Sequence, residues 1–72
     1  MTTLQAIKFA AKIQVGTRIQ GGKQIMVVTE ITDKYIKGYS EYAKLKFNKE
    51  TEMILEYSRL TNPHYSDSFQ IL

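Results

Sequence analysis

Tyrosine and lysine are densest between residues 34 and 46, where Lys34, Tyr35, Lys37, Tyr39, Tyr42, Lys44 and Lys46 fall within thirteen positions. In extended backbone, alternate residues share a face, so Tyr35, Lys37 and Tyr39 stand together. Lys44 and Lys46 fall on the outer face of a neighbouring strand if that stretch is also extended. Arg18 and Lys23, on a preceding hairpin, extend the surface. Aromatic planes stack on unpaired bases while lysines follow the phosphates. The expected ligand of Arg18, Lys23, Tyr35, Lys37, Tyr39, Lys44 and Lys46 is therefore RNA or single-stranded DNA. The alternative is a protein partner, with the chain acting as an inhibitor or adaptor, because Tyr gives an interface both area and a hydrogen bond. Glu41 beside the patch and a total of two arginines weigh against nucleic acid. A plainer origin is structural, with tyrosines at the rim of a small β domain and lysines guarding a strand edge.

Catalytic groups are scarce. His64 is the single histidine, and there is no cysteine. His64, Ser66 and Asp67 are crowded into one loop and cannot easily converge on a substrate atom from a rigid frame. Glu50, Glu52 and Glu56 would face solvent in either a strand or a helix. One His without Cys disfavours a transition-metal site, and Asp33 and Asp67 do not form a calcium-loop pattern. The expectation is a binding module that is not an enzyme and needs no cofactor or metal.

A chain of 72 residues holds one small domain, and its core is marginal. Without cysteine there is no disulfide to reinforce it. No apolar run approaches the ~20 residues of a membrane span, and no secretory signal pattern is present. A soluble, cytoplasmic protein is expected. Small domains of this kind are frequent in phages and mobile elements, and such an origin would suit an inhibitor. The net charge of +3 is unevenly placed. Lys8, Lys12, Arg18 and Lys23 precede the first acid, Glu30. From there on seven acids outnumber six cations.

Two segments fit two templates. Residues 3–12 read as a helix on their Ala, Leu, Gln and Lys content, with the Thr2/Gln5 spacing of a capping box. They place Gln5, Lys8 and Lys12 on one stripe, with Leu4, Ile7, Ala10 and Ala11 largely opposite. Ile7, Phe9, Ala11 and Ile13 also alternate as in a strand. Residues 49–60 read either as the second arm of a hairpin, with Met53, Leu55 and Tyr57 inward, or as a helix N-capped by Asn48 and stopped by Asn62-Pro63. The hairpin is favoured because it needs the shortest connection.

The remaining elements read as strands. Gly21-Gly22 marks a two-residue hairpin turn, and Gln24 to Thr32 is rich in β-branched residues. Asp33-Lys34 is a tight turn. A strand over 35–42 carries Gly38 as a bulge or close-approach point. Ala43, Leu45 and Phe47 alternate with lysines as a half-buried strand. The tail from Pro63 is a polar loop whose Phe69, Ile71 and Leu72 could close a sheet edge. Phe47, Leu45, Val27 and Ile31 are the expected core. The sum is a mainly β domain: a short N-terminal helix and about five strands in a strongly twisted antiparallel sheet or a small SH3-like or OB-like barrel. If residues 49–60 are helical, the fold becomes α+β.

Overall fold

Thr2 opens the first helix. Its hydroxyl accepts from the Gln5 amide at 3.1 Å, and the Gln5 side chain accepts from the Thr2 amide at 2.7 Å. Two amides that a helix start leaves unpaired are thereby satisfied. In the computed structural model, which describes residues 1–72, this helix is α1 (Thr3–Ala11). Strands β1 (Arg18–Gly21), β2 (Gln24–Ile31) and β3 (Tyr35–Ser40) follow. Next come α2 (Glu41–Phe47) and β4 (Glu52–Glu56), then the single turns α3 (Tyr57–Leu60) and α4 (Pro63–Ser66), and finally β5 (Phe69–Ile71). The five strands form one sheet in the order β4-β3-β2-β1-β5, with every neighbour antiparallel.

The fold is α+β, and its sheet is open. β4 and β5 are the two edges and do not pair with each other, so the expected barrel is not formed. The helical content does not come from residues 49–60 as a whole. Glu52–Glu56 is extended, as the hairpin reading expects, but its partner is β3 and not a strand over 43–47, so that hairpin is not formed, and only the last turn of the stretch is helical. The tail also differs from a polar loop: Pro63 begins α4 under an Asn62 cap. Its last residues do extend the sheet edge, as β5 against β1.

The largest correction is α2. Residues 43–47 are helical rather than extended. The Ser40 hydroxyl accepts from the Ala43 amide, and Asn48 ends the helix in the left-handed region at φ 53°. A polar N-cap and a left-handed Asn stop are the local chemistry of a short helix. Ala43, Leu45 and Phe47 consequently splay around an axis instead of lining one face. Leu45 is 80% exposed and Phe47 64% exposed, so neither belongs to the core.

One sheet face carries Ile19, Met26, Val28, Ile36 and Leu55, which pack with Ala10, Ile13 and Leu60 from the helical side. On β2 the buried residues are Met26 and Val28, whereas Val27 lies half-buried on the opposite face. Met26 is the β2 residue set opposite the buried Ile19, whereas Val27 is set opposite Arg18. The turn of this hairpin is Gly22-Lys23, with Gly21 paired to Gln24, one residue later than Gly21-Gly22, a shift that leaves each β2 residue on the same face. A bulge after Val28 then puts Ile31 opposite Ile36, yet at the sheet's end Ile31 stays 36% exposed. On α1 the buried pair is Ala6 and Ala10, while Leu4 and Ile7 are exposed. Small side chains let α1 approach α3 and α4 closely. The Tyr57 hydroxyl donates to the Ala10 carbonyl at 3.3 Å, and the N-terminal ammonium contacts Asp67 at 3.1 Å.

Candidate interaction surfaces

The face turned away from the core is the one that Tyr35, Lys37 and Tyr39 share, as their spacing requires. Cross-strand register builds its rows. Arg18 lies beside Val27, Val27 beside Tyr39 and Tyr39 beside Glu52. Lys37 sits between Glu30 and Ile54, and Tyr35 opposes Glu56. The tyrosines therefore alternate with carboxylates as well as with cations.

Those carboxylates engage the cations. The Arg18 guanidinium donates to both Glu41 carboxylate oxygens, at 2.8 and 3.0 Å. That bidentate hydrogen bond, reinforced by the charge of Glu41, raises the Arg18 pKa above its ordinary value. The Lys37 ammonium lies 3.9 Å from Glu30 and 4.9 Å from the centre of the Tyr35 ring. A shallow depression on this face is lined by Thr29, Glu30, Lys37, Gly38, Tyr39, Glu50 and Glu52, three acids around one lysine. Phosphates approaching here would meet carboxylates.

The other expected contact residues lie elsewhere. Lys23 occupies the tip of the first hairpin. Lys44 and Lys46 are on α2 instead of a neighbouring strand. Lys44 is 3.6 Å from Glu50. The Lys46 ammonium donates to the Tyr42 hydroxyl at 2.8 Å and lies 5.3 and 5.6 Å from the Tyr42 and Phe47 ring centres. The structure thus brings together Arg18, Tyr35, Lys37 and Tyr39, sets Lys44 at their border through Glu50, and leaves Lys23 at the hairpin tip and Lys46 beside Tyr42 and Phe47.

A second surface is missing from the sequence reading. Helix α2 buries none of its seven residues. It displays Tyr42, Leu45 and Phe47, with the Tyr42 and Phe47 rings edge-on at 6.4 Å. The paired Tyr42 and Phe47 rings form one exposed apolar patch, and Leu45, two positions from Phe47, projects from the other side of the helix. The signal was present in the Ser40 and Asn48 flanks, which mark a helix start and stop.

His64, Ser66 and Asp67 do not form a catalytic set. The buried Ser66 hydroxyl donates to the Leu60 carbonyl, Asp67 binds the N-terminal ammonium, and His64 is exposed. No cluster of three or more His, Cys, Asp or Glu residues has metal-binding geometry. No helix is long and apolar enough to cross a membrane. The chain matches no family model, no curated protein and no solved structure.

Proposed function

We propose that the chain is a protein-interaction module, an inhibitor or adaptor, and that α2 is its principal contact surface. The observation that carries this reading is the exposure of Tyr42, Leu45 and Phe47 on a helix with no buried residue. Lys44, Lys46 and Lys49 border these side chains in sequence. The partner surface that suits them is an apolar depression with an acidic rim. Aromatic and aliphatic anchors of this kind supply most of an interface's affinity, while rim charges steer encounter.

Nucleic acid is the less favoured ligand. Its support was the Tyr35/Lys37/Tyr39 face, and there Glu30, Glu41, Glu50, Glu52 and Glu56 surround Arg18 and Lys37. Capture from a lysate with and without nuclease separates the two. The interaction reading expects a partner protein retained after nuclease treatment, and no binding of single- or double-stranded oligonucleotides at low salt. A nuclease-sensitive partner overturns it, as does oligonucleotide binding that weakens linearly with log salt.

A further inference from the structure

Strand β4 ends the sheet, and its outer backbone is unpaired. Ser40 donates to the Thr51 carbonyl and Tyr57 to the Lys34 carbonyl, while Gly38 opposes Met53 and Ile36 opposes Leu55. In an antiparallel ladder these alternate residues use their amides inward, so Glu52, Ile54 and Glu56 turn theirs outward. All three are exposed. Five residues of ordered strand therefore offer a row of outward amides framed by Glu, Ile and Glu.

A second copy of the chain is a poor match for this edge. Antiparallel pairing of two β4 strands about Ile54 sets Glu52 of each against Glu56 of the other, and like charges directly opposite destabilise a sheet. The complement is a strand with cations at those two positions. We infer that β4 accepts an extended basic segment of another protein, added antiparallel to the edge. Its side chains read Lys or Arg, any residue, a β-branched apolar residue, any residue, Lys or Arg. The apolar residue stacks beside Ile54, and the two cations face Glu52 and Glu56. The main chain supplies hydrogen bonds and alternate side chains supply selectivity, as in other strand additions. This extends the interaction-module reading to a second surface and gives it the two contacts an adaptor needs.

The test is selection from a library of extended heptapeptides, followed by titration of the synthetic peptide Thr-Lys-Thr-Val-Thr-Lys-Thr. The expected selection enriches Lys and Arg two residues either side of Val or Ile. The E52K/E56K double variant should invert that preference to Asp and Glu and weaken the synthetic peptide by about tenfold or more. I54P removes an outward amide without touching the β3 ladder and should abolish binding by either protein. Absence of selection, or a basic preference that survives E52K/E56K, overturns the inference. The L45A/F47A variant keeps the two surfaces apart. Retained peptide binding alongside unchanged capture of a protein partner would remove α2 from the account and leave β4 standing. Failed peptide binding alongside lost capture would do the reverse.

Discussion

Replacing Gly38 by alanine puts a methyl group where there is no room for one. A Cβ at this position falls 2.1 Å from the Val27 carbonyl oxygen, 2.8 Å from the Val27 carbonyl carbon and 3.0 Å from the Met26 terminal methyl. The Met26 side chain can turn aside, but the Val27 peptide cannot. It belongs to the central strand, and the next residue, Val28, is tied on both sides of its peptide to Gly16 and Thr17 at 2.8 and 2.9 Å. Relief requires β2 and β3 to move apart next to the existing bulge between Val28 and Glu30. Overpacking of this kind costs ~1–3 kcal/mol, and a backbone obstacle argues for the upper end. A domain of this length has on the order of 4–11 kcal/mol of stability in total. At roughly 4–8 °C per kcal/mol, Gly38→Ala should lower the melting temperature by about 12–24 °C. Thermal denaturation followed by far-ultraviolet circular dichroism measures it. A fall of less than a few degrees would show that β2 and β3 do not approach as closely as the register requires.

The core assignment makes a paired prediction. Ile36→Ala, at a fully buried site, should cost ~2–5 kcal/mol in urea unfolding, whereas Phe47→Ala should change stability by no more than about 0.5 kcal/mol; equal losses would contradict the exposure of α2. Thr2→Ala removes the capping hydroxyl of α1 and should cost roughly 0.5–2 kcal/mol, read from the same unfolding curves. Asn48 holds φ at 53°, so Asn48→Gly should leave the midpoint unchanged or raise it, while Asn48→Ala lowers it. In native-state hydrogen exchange, the Ile54 amide on the open edge should exchange much faster than the Leu55 amide bonded into the ladder; equal protection would show the edge to be covered.

The helix start at Thr2, the strands β1 to β4 and the shared face of Tyr35, Lys37 and Tyr39 were legible because each rests on short-range chemistry, whereas the strand expected over 43–47 is a helix and the fifth strand is β5. The capping box, β-branched enrichment and the two-residue period act within a few positions. The close approach at Gly38 was legible for the same reason. Which face of β2 is buried was not, because Ile25, Met26, Val27 and Val28 are all apolar and the side-chain pattern alone does not choose between the two faces. Helix α2 was misread for a physical reason too. The sequence Ala43-Lys44-Leu45-Lys46-Phe47 alternates strictly, and a strand pattern over five residues is indistinguishable from a short helix that buries nothing. The acidic character of the tyrosine face was hidden because Glu30, Glu41, Glu52 and Glu56 come from three separate elements and meet only through the sheet register and the Arg18–Glu41 contact.

On the proposed function, Leu45 and Phe47 serve binding and not folding. One sample of the L45A/F47A variant, measured both for its melting temperature and for capture of the partner protein after nuclease treatment, tests this. The expected result is a melting temperature within a few degrees of the parent, together with loss of capture, because two exposed anchors are removed from a helix with no buried residue. Unchanged capture, or a melting temperature that collapses as for a core truncation, would contradict it.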